Sequence, residues 1–470
     1  MEQKARSVAF LLAATCVFSI IALILTVVNV KDVFLPSSTK YGLVFDAGST
    51  HTALYIYQWP ADKENGTGIV SQVEACAVSG PGISSYADSP ALAGASLKPC
   101  LDKAMMTVPA KLHQETPTYL GATAGMRLLS TKAERVFAEV TKTIRQYPVD
   151  FRGAQILTGN EEGTFGWITV NYLLETLVKK WEHPQGTEVL GALDLGGAST
   201  QITFQPGSTI EDQNTSILLR LYSTNYSLYT HSYLCYGQTQ ALKMLLAALP
   251  SNHQVTHPCY PKGYQENVTT AALYDSPCVP MPSTPSPAQV FTVTGTGDPA
   301  ACKTAIEKLF NFSCGAHRTC GFNGIYQPPV RGQFFVRSPL SMWSWYGCGV
   351  SGWAESGKGL GKMLTERLHM YCSIAVYILT LLLDGYKFDE HTWSSIHFSK
   401  KAANVDIGWT LGFMLNLTNM IPTEALVHVK GQQPDLWASA IFFIVLATVT
   451  GLMAIFLLSK LRGNSSTIKS

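Results

Sequence analysis

Two short stretches, FDAGSTHTALYI and LDLGGASTQITF, offer the same chemistry at distant points of the chain. Aligned, Asp46 falls on Asp194, Gly48 on Gly196 and Thr52 on Thr200. Each puts a carboxylate at the end of an apolar run, turns on glycine and continues into a strand-like segment. A glycine turn after a strand brings backbone N–H groups close to a ligand, which suits phosphate oxygens. Ser49, Thr50, His51 and Thr52 in one copy, and Ala198, Ser199 and Thr200 in the other, add donors. Asp46 and Asp194 are hard oxygen groups suited to Mg²⁺ or Ca²⁺, directly or through water. One such loop alone reads as a hairpin turn with a capping Asp. The pair points to one polyphosphate chain clamped between two half-domains.

A second cluster lies in GNEEGTFGW, where Glu161 and Glu162 precede Gly163. Two Glu at a helix start also make a favourable dipole contact and nothing more. Beside phosphate, one of them is a candidate base that activates water. No GxSxG elbow and no recognisable triad spacing accompanies the serine loops. The chemistry expected is therefore direct attack of water without a covalent intermediate. Arg127 either holds a loop or contacts phosphate; Trp167 and Trp409 read as packing residues.

These loops need elements to hold them. Residues 41–59 alternate as two strands around a turn. Residues 118–129 read as strand, glycine loop and helix start, and residues 155–176 repeat that theme. LGALDLGGASTQITF is again strand, loop, strand. Strands alternating with helices predict α/β architecture. Residues 249–299, rich in Pro, Ser and Thr, read as a disulfide-tied excursion. Helices are expected over 303–311, 372–385 and 406–421, with 422–435 as a linker. The 470 residues are enough for two domains.

Charged residues are 14%, below the usual quarter or so. The net charge is +2 with no basic block of the kind that wraps nucleic acid. Residues 8–30 and 436–458 are uncharged and long enough to span a bilayer. For the first, a signal peptide is the competing reading, disfavoured by its length and the want of a small-x-small cleavage site. Lys4 and Arg6 before one span, and Lys460, Arg462 and Lys469 after the other, predict cytoplasmic tails at 1–7 and 459–470. Everything between would lie outside. Of eleven cysteines one, Cys16, is in the first span. The rest lie between the spans, an even number that points to disulfides in an oxidising compartment; no CxxC pair suggests zinc. Sequons at Asn65, Asn214, Asn225, Asn267, Asn311 and Asn416 fit a glycosylated outside domain, and Asn464 falls in the cytoplasmic tail.

In order along the chain, DAGSTHT, GATAGMRLL, GNEEGTFGWITVNYLL, ALDLGGASTQITF and DIGWTLGFMLNLT resemble the five apyrase-conserved regions of the ecto-nucleoside triphosphate diphosphohydrolases, and the two spans match their cell-surface branch. The resemblance covers roughly 37–337 and 371–460. It implies an actin/Hsp70-like fold, two RNase H-like domains around a cleft. Lobe I would comprise 37–158 plus 400–428, and lobe II 159–399. The activity implied is hydrolysis of terminal phosphates of extracellular nucleoside tri- and diphosphates, regulating purinergic signalling at the plasma membrane, with Ca²⁺ or Mg²⁺. By motif position Glu162 would be the base, Ser199 and Gln201 would position water, and Asp46 and Asp194 would organise the hydrated metal. Ser49, Thr50, His51, Thr123, Ala124, Gly125, Gly196, Gly197 and Ala198 would line the phosphates, and Tyr371 and Arg367 the base. The implied disulfides are Cys76–Cys100, Cys235–Cys278, Cys259–Cys302, Cys314–Cys320 and Cys348–Cys372. Two spans per chain would also allow helix packing between subunits in a homo-oligomer.

The chain departs from this pattern in three places. Asn160 stands where the family usually has Gln, and Gln238 and Thr239 stand where relatives often carry Arg-Asp. After GQFFV, relatives continue with an aromatic-rich stretch that supplies a second base-stacking Tyr. Here the sequence reads RSPLSMWSWYGCGVSGWAESGKGLGK, and the segment up to Tyr371 is shorter than expected. Trp343, Trp345 or Tyr346 would be the replacements. The alternative this raises is a nucleotide-binding chain with impaired or no turnover, from the altered 338–370 segment. A kinase of the same fold is the other enzymatic reading, and its outside location argues against it.

Overall fold

The computed structural model describes residues 2–27, 31–34, 38–63, 66–129, 132–177, 188–249, 254–281, 289–315, 319–337, 368–399, 401–421, 428–431 and 434–466. They fall into two units: Met1–Ser38 with Glu424–Ser470, and Thr39–Thr423.

The first unit holds two long helices, Glu2–Val27 and Pro434–Ser466. Within them Ala5–Val27 and Asp435–Lys460 are long and apolar enough to cross a membrane. They pack on each other through Phe18 against Phe443, ring centroids 6.0 Å apart, and through Thr15 and Thr450, whose hydroxyls lie 2.9 Å apart. Strands Lys31–Phe34 and His428–Gly431 pair antiparallel beside them. The second of these lies in the expected linker, which therefore contains regular structure.

The second unit is built on two sheets of related order. The first runs Ser71–Ala77, Thr52–Pro60, Thr39–Ala47, Pro117–Ala122, Asp150–Ile156. Its first three strands are antiparallel and its last two are added parallel. The second runs Ile396–Phe398, Phe334–Arg337, Gly191–Leu195, Ser199–Phe204, Thr224–Leu234, Ser216–Leu221. Again an antiparallel hairpin carries parallel strands on its far side. This is the two-sheet α/β architecture of the actin/Hsp70 class.

The central strands of each sheet are covered because they are apolar on both faces. The Thr39–Ala47 strand is buried from Gly42 onward, the pattern of a strand with layers on either side. Helices Pro90–Thr107 and Lys132–Ile144 cover one face of the first sheet around Leu97, Leu101, Val136 and Val140. On its other face lies helix Trp409–Thr418, which crosses at close range the helix Gly159–Leu173 packed on the second sheet. Gly412 permits that approach, because a side chain there would strike the backbone of Phe165. Thr169 fastens the crossing, donating to the Gly408 carbonyl (2.6 Å) and accepting from Gly412 N (2.9 Å).

Several expected boundaries move. The helix placed at 303–311 runs Pro299–Glu307, because Asp298 accepts from Ala301 N and Pro299 suits the first turn. The one placed at 406–421 is Trp409–Thr418, and that at 372–385 runs Tyr371–Thr380 and closes as a π turn, Leu381–Gly385. The excursion over 249–299 is more regular than its composition implied. Gln254–His257, Val290–Gly295 and Gln265–Thr269 form a small sheet over its own apolar cluster of Val255, Tyr260, Leu273, Phe291 and Val293.

Disulfides join Cys76–Cys100, Cys235–Cys278, Cys259–Cys302 and Cys314–Cys320. Cys372 is also disulfide-bonded, and Cys348, the partner implied for it, lies outside the described residues. Asn214, Asn225, Asn267 and Asn311 are exposed, and Asn65 lies outside the described residues. Asn416 differs. It is half-buried in the Trp409–Thr418 helix, and Thr418 of its sequon is buried and accepts from Gly68 N, a placement unsuited to a surface glycan.

Candidate active site

The two glycine loops face each other across a cavity of about 590 Å³. A side chain at Gly197 would meet Ser49 Oγ and the Thr50 methyl at 2.7 Å, so the loops approach to contact at this point. Around the cavity stand Asp46, Gly48, Ser49, Thr50, His51, Thr123 and Ala124 from the strands and loops of the first sheet. Glu162, Asp194, Gly196, Gly197, Ala198 and Ser199 complete the set. Gly125 sits one step behind, its Cα hydrogen side turned to Ser49. Of the residues expected for the base, Tyr371 starts its helix and does not line the cavity, and Arg367 lies outside the described residues. The 338–367 stretch, with Trp343, Trp345 and Tyr346, is likewise outside them.

Both loops are pinned from behind through their carbonyls. Gly82 N donates to Thr50 O (3.2 Å) and Thr123 N to Ala47 O (3.1 Å). In the other copy Gln238 N donates to Gly196 O (2.9 Å), Gln240 N to Gly197 O (3.1 Å) and Cys235 N to Ala198 O (2.8 Å). Thr200 Oγ1 donates to Asp194 O (3.0 Å) and meets the Tyr386 hydroxyl (2.9 Å). Peptide carbonyls turned outward leave their neighbours' N–H groups toward the cavity, the polarity an anion requires.

The double Glu divides into two roles. Glu161 is a capping residue: its carboxylate accepts from Thr158 N (2.8 Å) and Thr158 Oγ1 (2.9 Å), while Thr158 accepts from Glu161 N. Glu162 is buried and points the other way. Its Oε2 forms an ion pair with Arg127 Nη2 and accepts from Gln201 Nε2 (3.2 Å). Gln201 also donates to Ser199 Oγ (2.7 Å) and Ser232 Oγ (3.0 Å). Burial pushes the Glu162 carboxyl up to about 8 against the pull of Arg127; Asp194 and Asp46 add to the rise. Gln201 Oε1 and Arg127 Nε are buried and have no hydrogen-bond partner among the described residues. Buried polar atoms without partners mark where a water or ligand belongs.

Asp46 and Asp194 occupy equivalent register positions. Each is next to last on its strand, and each has a parallel neighbour: Gly121 beside Asp46, Arg337 beside Asp194. Trp409 Nε1 donates to Asp46 Oδ1 (2.9 Å), and Arg337 Nη1 lies 3.4 Å from Asp194 Oδ2. Burial raises the Asp46 carboxyl, with Arg337 and the indole bond opposing. Two hard carboxylates facing one cavity suit a mostly hydrated divalent cation.

Arg337, Asp406, Tyr55, Gln238, Thr239 and Trp409 also line the cavity. Trp409, read as packing alone, is both packed and hydrogen-bonded to Asp46; Trp167 is a packing residue, fully buried against Tyr226. Asp406 had a signal in the sequence, since Asp406-Ile-Gly408 repeats the acid-x-glycine of Asp46-Ala-Gly48 and Asp194-Leu-Gly196. Arg337 had none beyond its place at the break in the resemblance.

The model of the GDA1/CD39 (nucleoside phosphatase) family matches residues 32–348 and 347–430, two stretches that meet in the altered segment. An ectonucleoside triphosphate diphosphohydrolase 8 of Gallus gallus is 70% identical over 488 residues, covering 97% of this chain and 99% of its own. Its namesake of Rattus norvegicus is 48% identical over 482 residues, covering 96% and 97%. The crystal structure of nucleoside triphosphate hydrolases from Neospora caninum, 14% identical, covers 82% of this chain and 93% of its own with a TM-score of 0.55, a likeness of fold. The chain belongs to the GDA1/CD39 (nucleoside phosphatase) family and is an enzyme of that family.

Proposed function

We propose that the chain hydrolyses the terminal phosphate of nucleoside tri- and diphosphates by direct attack of water activated by Glu162. The observation that carries this is the Glu162–Gln201–Ser199 chain of hydrogen bonds beside two facing glycine loops. Glu162 Oε accepts the proton as the water oxygen bonds to phosphorus, and the anhydride oxygen leaves with the shortened nucleotide. A carboxyl raised to about 8 is basic enough for that task when ionised. Gln201 Oε1 is an acceptor still available to a water at this point. Ser49, Thr50, His51, Thr123, Ala124, Gly125, Gly196, Gly197 and Ala198 would cradle the phosphates through N–H and hydroxyl donors. Asp46 and Asp194 would hold Ca²⁺ or Mg²⁺ largely through water, and the bound cation would withdraw charge from the phosphoryl oxygens. Tyr371 and Arg367 stand for the base contact only by their positions in the motif.

The two apolar helices support a membrane protein. The antiparallel pairing of the strands beside them supports both chain ends on one side of a membrane, and the disulfides support an oxidising compartment for the segment between the spans.

A second reading, nucleotide binding with impaired turnover, has one support: the guanidinium of Arg337 lies beside Asp194, where a cation would be held. One experiment separates the two. Membranes carrying the full chain should release phosphate from ATP and ADP, and Glu162→Gln should cut the rate about a hundredfold or more with unchanged expression. Full activity in Glu162→Gln would refute the role of the base; nucleotide binding with no phosphate release by the unmodified chain would favour the second reading.

A further inference from the structure

We infer that Arg337 is a built-in counter-ion that competes with the divalent cation for the carboxylates of Asp46 and Asp194. This rests on the reading that those two aspartates hold the cation.

Arg337 ends the Phe334–Arg337 strand, and its register partner on the parallel neighbour is Asp194. Its Nη1 lies 3.4 Å from Asp194 Oδ2, and it lines the same cavity as Asp46, Glu162 and Asp406. The guanidinium lies beside Gly408, its Cζ, Nη1 and Nη2 all 3.8 Å from where a Cβ would stand, so the backbone of Gly408 leaves room for it. In the first sheet the corresponding position is Gly121, which has no side chain and lies under the Trp409 ring. One lobe therefore presents its aspartate with an indole donor and the other with a full positive charge.

A guanidinium is always charged, and its planar fork satisfies carboxylate lone pairs. A hydrated Mg²⁺ or Ca²⁺ needs those same lone pairs, and its water shell needs the space between the two carboxylates. In a half-enclosed cleft the repulsion between a fixed cation and a divalent ion is only weakly screened. Arg337 is also the residue at which the sequence leaves GQFFV for RSPLS, so this charge stands at the border of the altered segment. The consequence is a chain whose phosphate loops are intact but whose cation affinity is set low from within.

The test is Mn²⁺ binding by the full chain in detergent micelles, read from the loss of the free-ion electron paramagnetic resonance signal. Arg337→Leu is expected to bind Mn²⁺ about tenfold or more tighter than the unmodified chain. Arg337→Gln, which keeps a donor toward Asp194 without the charge, should tighten binding similarly and serves if the Leu variant does not fold. Arg337→Lys should bind as weakly as the unmodified chain. Adding Asp194→Asn to Arg337→Gln should abolish the gain. Unchanged or weaker Mn²⁺ affinity in folded Arg337→Leu and Arg337→Gln, with Asp194→Asn still weakening it, overturns the inference and leaves the aspartate site standing. Binding indifferent to Asp194→Asn overturns the cation site itself, and the inference with it.

Discussion

Trp409 donates its indole N–H to Asp46 at 2.9 Å, joining residues 363 apart in sequence. Asp46 is only 6% exposed, and the indole bond engages one of its two oxygens, Oδ1. Gly121 makes the arrangement possible, because any side chain there would occupy the Trp409 ring. The Trp409–Thr418 helix thus sets the aim of a carboxylate in the first loop.

Trp409→Phe keeps most of the packing and removes the donor. Leaving a buried carboxylate short of a hydrogen bond costs about 1–3 kcal/mol. Chemical denaturation should register a loss of that size, and phosphate release should need more divalent cation to saturate. A variant of unchanged stability would mean that Asp46 finds another donor when the indole is gone.

Gly237 backs the second loop as Gly82 backs the first. A Cβ at Gly237 would collide with the backbone of Gly197, Ala198 and Ser199. Those are peptide atoms that cannot swing aside, so Gly237→Ala must push the loop into the cavity or strain the turn. The expected outcome is a rise in KM for nucleotide and a fall in kcat, while Gly166→Ala, where a Cβ meets nothing within 4 Å, should be silent. Steady-state kinetics on the two variants side by side checks it.

Much of the site could be read from the sequence because its parts are local. An acid, a glycine turn and a following strand sit within a few residues, and the spacing survives in both copies. What the sequence left open was direction. Glu161 and Glu162 are neighbours on one helix, roughly 100° apart around its axis. Nothing in Glu-Glu says which one caps Thr158 and which one reaches Arg127. Arg337 and Trp409 come to the cavity through sheet register and helix crossing, both long-range. The small sheet over 254–295 was hidden by its Pro, Ser and Thr content, although VFTVT at 290–294 alternates with the period of a strand. Its central strand pairs parallel on one side and antiparallel on the other, a pairing that no local pattern specifies.

The two apolar helices offer a test of their own. Thr15 and Thr450 meet hydroxyl to hydroxyl, and Gly451 lies against the Thr15 methyl, the small-residue contact by which helices pack in lipid. With Cys16 changed to Ala, the pair Thr15→Cys and Thr450→Cys should cross-link within one chain in membranes under mild oxidation. Proteolysis between the spans, followed by non-reducing electrophoresis, should show the end fragments joined. Cross-linking only between chains would assign these faces to contacts between subunits.

Glu162 makes a pH prediction with a definite sign. Its carboxyl sits near 8 in the fold, mainly through burial, against about 4.3 in the unfolded chain. The protonated form is therefore the one the fold favours. Its contribution to stability is complete below about pH 4.3 and is lost as pH rises toward 8, at up to about 1.4 kcal/mol per pH unit. The base is active only when ionised, so the rate should climb over the same interval in which stability falls. Glu162→Gln removes the titration. From pH 5 to 8 its melting temperature should gain steadily on that of the unmodified chain, whatever the offset at pH 5. Arg127→Met should displace the rate inflection to higher pH, because the guanidinium is what pulls the carboxyl down. Thermal melts of the two chains that run parallel across pH 5–8 would mean that Arg127 holds Glu162 charged throughout, and the inflection of the rate would then belong to another group.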